Sequence, residues 1–265
     1  MIDLKEVMKD VKGWTREVGR IQRQYFGKSD LLVHAKSTEA DLVTEVDERS
    51  EKYIIEAIKK HYPGHRILSE EAGNFQIESD YLWIVDPLDG TTNYAQGLPI
   101  FAISIALQYK EDTVLGVVYI PMLDEMFEAI KGEKAYLNGK QIVVGNKKDL
   151  RQCVLASGFP YDRETNRDNN ANYFCHFIPK VRGLRRIGVA AYDLANVAAG
   201  RLDGYWELNL SLWDVAAGIL ILKEAGGKVF YLENKRQISL VTGNEAICNE
   251  ILKEMQIVDL ERSVS

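Results

Sequence analysis

The sequence is poor in cysteine, and it lacks a long apolar run. Its three cysteines, Cys153, Cys175 and Cys248, are scattered and form no paired motif. This spacing argues against a disulfide framework and predicts buried structural thiols in a reducing compartment. The longest stretch of apolar or small residues, 215–222, is far shorter than the ~18 residues that a membrane span needs. We therefore expect no membrane partner.

An excess of positive charge is also absent. The net charge is -6 at pH 7, whereas nucleic-acid binding usually requires a basic surface, so no nucleic-acid partner is expected. The first residues, "MIDLKEVMKDVKGW", mix both charge signs and contain no apolar core of a signal peptide. Together with the unpaired cysteines, this N-terminus predicts a cytoplasmic protein.

Hydrophobic periodicity indicates a chain that mixes helices and strands. Apolar spacing predicts helices over residues 2–27 and 45–61 and short strands at 66–69 and 81–85. Hairpins are predicted for 101–109 with 113–120 and around Asn138-Gly139. After about residue 150, strands alternate with helices, which are predicted near 165–178, 189–199, 212–225 and 244–256. The pattern predicts an α+β (mixed α/β) fold in one domain over residues 1–265, with lobes of approximately 1–150 and 151–265.

One stretch, "LWIVDPLDGTTNY" at residues 82–94, joins an apolar strand to a polar turn. The proline after Asp86 favours extended geometry there, and Gly90 permits the tight turn that follows. Thr91 would then begin a helical turn whose free N–H groups can bind an anion. Asp86 and Asp89 would repel each other by about 4 kcal/mol at 4 Å and an effective dielectric of 20. Mg²⁺ relieves such repulsion and characteristically bridges carboxylates to phosphate.

This stretch has three alternatives to a metal and phosphate site. A plain surface turn is typical of Asp, Pro, Gly and Asn. A calcium loop needs a glutamate at its twelfth position, and the twelfth residue from Asp86 is Gly97, which excludes that loop. A phosphatase that forms an aspartyl-phosphate would carry its two aspartates two positions apart. Asp86 and Asp89 are three apart, so this alternative is weakened but stays open.

Two further acidic segments could have either a local or a catalytic role. "RILSEEAG" places Glu70 and Glu71 after a short apolar strand, where the local role is a solvated acidic turn. "SLWDVAAG" begins an apolar helix, in which Asp214 has the spacing of a capping box with Ser211. Residues 44–47 have the same spacing. The occurrence of all these segments in one chain favours a shared acidic site, and oxygen ligands favour Mg²⁺ or Mn²⁺ over zinc.

At family level, "WIVDPLDGTTNY" and "WDVAAG" resemble the two signature motifs of the inositol monophosphatase family, within the lithium-sensitive, magnesium-dependent phosphatases. The similarity extends to "KSTEADLVTEVDERSE", "SEEAG" and "RRIGVAAYDLANVAAGRLDGYWE", and so covers essentially the whole chain. The resemblance implies a layered αβαβα sandwich with the active site between its two halves. It also implies a homodimer that hydrolyses a small-molecule phosphate ester.

The resemblance further implies a role for each matching residue. The first Mg²⁺ would be held by Glu70, Asp86 and the carbonyl of Leu88, and the second by Asp86, Asp89 and Asp214. A third, weaker ion would contact Glu70, and Mn²⁺ is expected as a substitute metal. The implied catalytic residues are Glu70 and Thr91, with Asp47 supporting Thr91 as it deprotonates the attacking water.

Substrate contacts are implied in the same way. The amides of Gly90 and Thr91 would bind phosphate, Ala190, Glu207 and Asp214 would contact the rest of the substrate, and Lys36 would lie on a mobile loop that closes over the metals. Val189 stands where the family commonly has a small or hydroxyl-bearing residue, which affects the predicted substrate preference.

The expected enzyme is a broad phosphatase with inositol 1-phosphate among its best substrates and with some inhibition by lithium. The alternatives are a fructose-1,6-bisphosphatase, an NADP 2′-phosphatase or a nucleotide 3′-phosphatase. A metal-binding regulatory protein without turnover is the non-enzymatic alternative. Thr91 and Asp47 favour an enzyme, because a protein that only binds metal needs no water-activating pair.

Overall fold

The computed structural model describes residues 2–28, 33–35, 42–75, 77–233 and 235–264. These residues form a mixed α+β fold, as the sequence predicts. The α-helices of the described ranges are α1 Leu4–Tyr25, α2 Glu45–His61, α3 Thr91–Ala95, α4 Ala171–Phe177, α5 Ala190–Ala198, α6 Leu212–Glu224 and α7 Glu245–Val264.

The strands are arranged in three sheets. A two-stranded antiparallel ribbon pairs β1 Val33–Ala35 with β2 Leu42–Thr44. The large sheet has the order β10-β9-β8-β7-β6-β5-β3-β4 and the smaller one has the order β12-β11-β13-β15-β14. The large sheet contains β3 Arg66–Ser69, β4 Gly73–Phe75, β5 Tyr81–Asp89, β6 Ala102–Tyr109, β7 Asp112–Ile120, β8 Glu125–Ile130, β9 Ala135–Leu137 and β10 Lys140–Ile142. The smaller sheet contains β11 Val154–Ser157, β12 Gly183–Arg185, β13 Gly204–Leu210, β14 Lys228–Tyr231 and β15 Ile238–Gly243.

The three largest apolar cores join these elements into five layers. In the first core, α1 and α2 pack on one face of the large sheet around Trp14, Ile54 and Trp83. In the central core, α5 and α6 fill the space between the two sheets. The third core packs α4 and α7 against the outer face of the smaller sheet, around Trp206 and Ile251. The order helix, sheet, helix, sheet, helix is the αβαβα sandwich that the family resemblance implies.

Most of the predicted elements are present, and three differ from their predicted bounds by four residues or more. Strand β5 does not stop at residue 85 but continues to Asp89, with an irregular register against β6 between Asp86 and Asp89. Helix α7 runs to residue 264. Helix α4 begins only at residue 171, because the side chains of Asn166 and Asn169 accept hydrogen bonds from backbone N–H groups two residues ahead. Such local bonds compete with helix formation.

The cysteine prediction needs one correction. All three cysteines are free, and Cys153 and Cys248 are buried. Cys175 is exposed, because it lies on the outward side of α4 while Tyr173 and Phe177 of the same helix face the core. Across the described ranges, no helix is both long and apolar enough to cross a membrane. The division into two lobes near residue 150 stays a prediction.

Candidate active site

A cavity of about 620 Å³ lies at the end of β5, where that strand meets the first turns of α5 and α6. It brings together most of the residues that the sequence predicts for the site. The predicted residues that line it are Glu70, Asp86, Leu88, Asp89, Gly90, Thr91, Ala190, Glu207 and Asp214. Asp47 lies behind this lining and reaches it through a hydrogen bond to Thr91. Lys36 lies outside the described residues.

The irregular end of β5 places the two aspartates of the first motif. The Asp86 carboxylate accepts a hydrogen bond from the Leu88 N–H at 3.0 Å, which stabilises the turn between them. Gly90 follows with φ +96°, a left-handed conformation that favours glycine. A Cβ at this position would also lie 2.7 Å from Cγ2 of Val189. Glycine therefore allows β5 to turn directly into α3.

Burial and mutual repulsion dominate the electrostatics of the acidic residues. Burial raises the pKa of Asp86 well above its ordinary value, and the neighbouring charges of Glu70, Asp89 and Asp214 raise it further. Burial likewise raises the pKa of Asp89 to about 7, although the Ala191 N–H donates to its Oδ2 at 2.7 Å and opposes the shift. The pKa of Asp214 is also raised well above its ordinary value, first by burial and then by the charge of Asp89. These raised pKa values indicate that the cavity contains too little positive charge to balance its carboxylates.

The donor set fits a hard divalent cation. Every ligating group predicted here is an oxygen, and Mg²⁺ prefers oxygen ligands. In the described part of the chain, no three His, Cys, Asp or Glu side chains already form a coordination set. Instead, Asp89 accepts from Ala191, and Asp214 accepts from the Ser211 N–H at 2.7 Å. Since an ionised carboxylate has about four lone-pair sites on two oxygens, both aspartates keep acceptor capacity for a metal.

Thr91 and Asp47 form the pair that the sequence predicts. The Thr91 hydroxyl donates to Oδ1 of Asp47 at 2.9 Å, with the carbonyl oxygen of Leu88 at 3.1 Å as its other acceptor. Oδ2 of Asp47 accepts from the Thr44 N–H at 2.9 Å, so one carboxylate both caps α2 and contacts Thr91. Burial raises the pKa of Asp47 to about 6, while the hydrogen bonds from Thr44 and Thr91 act against that shift.

Glu207 lies across the cavity on β13. The Tyr205 hydroxyl donates to Glu207 Oε2 at 2.6 Å. Burial raises the pKa of Glu207 to about 7, and the Tyr205 bond and the charge of Arg186 oppose the rise. The Glu207 carboxylate lies so close to Gly158 that any Cβ there would overlap it. Gly158 therefore makes room for this acid at the cavity wall.

Several residues of the cavity wall are not predicted from the sequence. Arg186, Tyr161, Asp162 and Arg236 also line the cavity, and Arg236 pairs with Asp162 at 2.5 Å. Their segments are distant in the chain from the acidic motifs, so no local pattern connects them to the site. For Arg186, the one sequence signal is its place in "RRIGVAAYD".

Asp193, which the sequence also leaves unpredicted, is an acid inside the small-residue helix α5. Its side chain is 1 % exposed, and its Oδ1 has no hydrogen-bond partner among the described residues. Burial raises the pKa of Asp193 well above its ordinary value, and the charges of Glu207 and Asp89 raise it further. The sequence does give one indication of Asp193, because it is an acidic residue within "VAAYDLANVAAG", a segment of mostly small and apolar residues.

Asp193→Asn is expected to change how stability depends on pH. Because the folded-state pKa of Asp193 is raised, the native protein binds its proton more tightly than the unfolded chain, so stability falls as pH rises above the ordinary range of Asp. One group contributes at most about 1.4 kcal/mol per pH unit. We expect the variant to gain thermal stability over the wild type between pH 5 and pH 8 in metal-free buffer.

The measurement for Asp193 is the melting temperature by circular dichroism across that pH range. Asp80→Asn is the matched control, because Asp80 is an exposed acid that pairs with Lys110 at 3.8 Å. A constant difference between Asp193→Asn and the wild type across the pH range would contradict the prediction.

The fold and the cavity define a class of protein: a five-layer αβαβα sandwich with an acidic cavity lined by residues of the large and the smaller sheet. A model of the inositol monophosphatase family matches residues 3–265. A Nus factor SuhB from Pasteurella multocida is 43 % identical over 241 residues, which are 89 % of this chain and 90 % of that protein. An inositol-1-monophosphatase from Synechocystis is 45 % identical over 198 residues, which are 74 % of this chain and 69 % of that protein.

A solved structure with the same architecture agrees with these similarities. The crystal structure of the extragenic suppressor protein suhB from Bartonella henselae superposes with a TM-score of 0.88 at 38 % identity, covering 94 % of this chain and 98 % of that one. The chain therefore belongs to the inositol monophosphatase family, whose members are phosphatases of small phosphate esters and generally depend on Mg²⁺.

Proposed function

We propose that this protein is a Mg²⁺-dependent phosphomonoesterase that hydrolyses inositol monophosphate and related small polyol phosphates. The observation that supports it best is the meeting of Glu70, Asp86, Asp89 and Asp214 at one cavity, where burial and then mutual repulsion raise the pKa of Asp86 and Asp214. The Thr91–Asp47 pair borders the same cavity.

The residues present suit a site for two Mg²⁺ ions. Glu70, Asp86 and the carbonyl of Leu88 would hold the first, while Asp86, Asp89 and Asp214 would hold the second. A third, weaker ion near Glu70 belongs to the same proposal, as does substitution by Mn²⁺. When bound, divalent ions lower the pKa of a coordinated water and stabilise the departing alkoxide oxygen.

The chain's own groups would position and move protons. Thr91 donates to Asp47, so its hydroxyl oxygen keeps a lone pair that can accept a hydrogen bond, and then a proton, from the attacking water. As Thr91 accepts that proton, its own hydroxyl proton passes to the Asp47 carboxylate, while Glu70 orients the water from the other side. The amides of Gly90 and Thr91 would bind the phosphate oxygens.

The alcohol part of the substrate would lie on the opposite side of the cavity. Glu207 can accept hydrogen bonds from substrate hydroxyl groups, because Tyr205 occupies only one of its oxygens. Ala190 presents a small side chain beside it and Asp214 borders the same space. Arg186 contributes positive charge near Glu207, which would suit esters that carry a second negative group.

The aspartyl-phosphate alternative is disfavoured by the surroundings of its nucleophile. Asp86 is only 1 % exposed, and the charges of Glu70, Asp89 and Asp214 surround it. Asp89 is bound by the N–H of Ala191. Because Asp86 is buried among other acids and one oxygen of Asp89 is already hydrogen-bonded, we favour attack by water over attack by a carboxylate at this site.

Assays on a substrate panel test the proposal. Phosphate release is measured from inositol 1-phosphate, fructose 1,6-bisphosphate, NADP and a nucleotide 3′-phosphate, with and without Mg²⁺ and with added LiCl. We expect Mg²⁺-dependent release that is highest for inositol 1-phosphate, with side activity on the bisphosphate or NADP and partial inhibition by lithium.

Two results of the panel would contradict different parts of the proposal. No Mg²⁺-dependent release from any ester would overturn the phosphatase. A preference of more than about a hundredfold for the nucleotide, about 2.7 kcal/mol of transition-state binding, would overturn the substrate assignment alone.

A Nus-factor role is a second candidate, favoured by the 43 % identity to a relative with that name. It corresponds to the regulatory alternative in which the chain binds metal and acts without turnover. In cells that lack the chain, Asp89→Asn separates the two roles. Full restoration of growth by this variant would support the regulatory role, whereas restoration by the wild type alone would support the enzyme.

Three further expectations remain part of the proposal. They are a homodimer, a cytoplasmic location, and a loop at Lys36 that closes over the metals. Sedimentation of the purified chain tests the first of them directly.

A further inference from the structure

The turn that carries Glu70 is held by a single buried carboxylate from α2. Oε1 of Glu51 accepts hydrogen bonds from the Ser69 hydroxyl, from the Glu71 N–H at 3.0 Å and from the Ala72 N–H at 2.9 Å. Glu51 is 6 % exposed. Three donors on one charged oxygen make a strong attachment, because hydrogen bonds to a carboxylate are stronger than those to a neutral acceptor.

These bonds bracket Glu70 on both sides. Ser69 precedes it at the end of β3, and Glu71 and Ala72 follow it in the turn toward β4. The Glu70 N–H itself donates to the carbonyl of Val85 at 3.3 Å, which ties the residue to β5 next to Asp86. With its neighbours bound to Glu51 and its own amide bound to β5, Glu70 has a restricted backbone that directs its side chain to the cavity.

Helix α2 holds both sides of the cavity at once. Glu51 is four residues after Asp47, so the two acids lie on the same face of the helix, one turn apart. Asp47 binds Thr91, while Glu51 binds the turn that carries Glu70. Helix α2 therefore sets the distance between Thr91 and Glu70, the two groups that would flank the attacking water.

We propose that Glu51 is a positioning residue that fixes Glu70 as a metal ligand. The proposal rests on the proposed function, since it requires Glu70 to hold a divalent ion. Glu51 is not among the residues that line the cavity, so it would act only through the 69–72 turn. Its loss would leave Asp86, Asp89 and Asp214 in place and would loosen only the Glu70 side of the site.

The test compares Glu51→Ala and Glu51→Gln with the wild type. Substitution of a residue that orients a metal ligand typically lowers the metal affinity by about 10- to 100-fold. We expect Glu51→Ala to raise the Mg²⁺ concentration at half-maximal activity about 30-fold, with KM at saturating Mg²⁺ changed less than about threefold. Glu51→Gln keeps a carbonyl acceptor at the same position, so it should recover most of the affinity that the alanine variant loses.

A second readout does not depend on turnover. Mg²⁺ is titrated against the melting temperature, and the midpoint of the increase gives an apparent affinity. We expect that midpoint to move to higher Mg²⁺ in the order wild type, Glu51→Gln, Glu51→Ala. Glu48→Gln is the matched control, since Glu48 is an exposed acid on the same helix, and its midpoint should equal that of the wild type.

Each outcome decides the proposal. If Glu51→Ala does not fold, Ser69→Ala carries the comparison, because it removes the hydroxyl that donates to Glu51. Wild-type midpoints in the folded variants would overturn the positioning role, even if their melting temperatures without metal are lower. If the wild type shows a Mg²⁺-dependent melting shift but releases no phosphate, only the proposed activity fails. If it shows no shift with Mg²⁺, the positioning role fails as well.

Discussion

Asp214→Asn is expected to lower kcat/KM about a thousandfold and to leave the cap of α6 intact. The thousandfold loss corresponds to about 4 kcal/mol, in line with the several kcal/mol that metal ions supply to a developing charge. The asparagine keeps an oxygen that can accept the Ser211 N–H, which now donates to Asp214 at 2.7 Å. The substitution therefore removes a negative charge from the cavity without removing the cap.

Asp214→Ala separates the two roles of this residue. It removes the metal ligand and also the cap, so it should lose the activity and be about 0.5–2 kcal/mol less stable than Asp214→Asn. In metal-free buffer at pH 8, Asp214→Asn should melt at a higher temperature than the wild type. The reason is that the raised pKa of Asp214 makes its ionised form unfavourable in the fold.

The measurements are steady-state kinetics at several Mg²⁺ concentrations and thermal melts of the same samples. Asp112→Asn is the control for loss of one negative charge, because Asp112 is exposed and pairs with Lys131 at 2.8 Å. Turnover near the wild-type level in Asp214→Asn would mean that Asp214 is only a helix cap. Asp89→Asn should lose activity to a similar degree, because Asp89 would hold the same ion.

Thr91→Ala is expected to lower kcat by about 100- to 10,000-fold, the usual range for loss of general acid–base catalysis. The variant removes the hydroxyl that donates to Asp47 at 2.9 Å, so the water loses its proton acceptor. Thr91→Ser keeps that hydroxyl and should retain most of the activity. Because neither change removes a metal ligand, the Mg²⁺ concentration at half-maximal activity should stay close to the wild-type value.

The pH profile gives an independent test of the same pair. Asp47 must be ionised to accept a proton from Thr91, and burial raises its pKa to about 6. Activity should therefore fall as the pH drops below about 6, well above the range in which an ordinary aspartate becomes protonated. Asp47→Asn should lose most of the activity at every pH. A profile of the wild type that is flat down to pH 5 would contradict the role of Asp47.

Asp47 and Asp214 both cap helices, as their spacing predicts, and capping does not exclude a role in the site. Oδ2 of Asp47 accepts from the Thr44 N–H, and Oδ2 of Asp214 accepts from the Ser211 N–H. In Asp47 the other oxygen binds Thr91. A carboxylate has two oxygens, so one can complete a helix start while the other serves the cavity. Sequence spacing identifies the cap but cannot show where the second oxygen points.

The sequence by itself determined the helices and strands with strong periodicity. Helix α2 has the predicted bounds, and α5 and α6 differ from their predicted bounds by about one residue. Local signals suffice there, because apolar spacing and capping residues act within one or two turns. The acidic motifs were also identifiable in the sequence, since a proline, a glycine and two aspartates at the end of an apolar strand leave few alternatives.

Only the tertiary structure decided which distant groups complete the cavity. Arg186 and Arg236 line it, Asp193 is buried beside Glu207 and Asp89, and Glu51 holds the turn of Glu70. Arg186 and Asp193 lie in a segment with a weak sequence signal, but no local pattern shows that Arg236 or Glu51 belongs to the site. Their partners are brought close by the packing of five layers, and the pKa of each buried acid depends on charges that are distant in the chain.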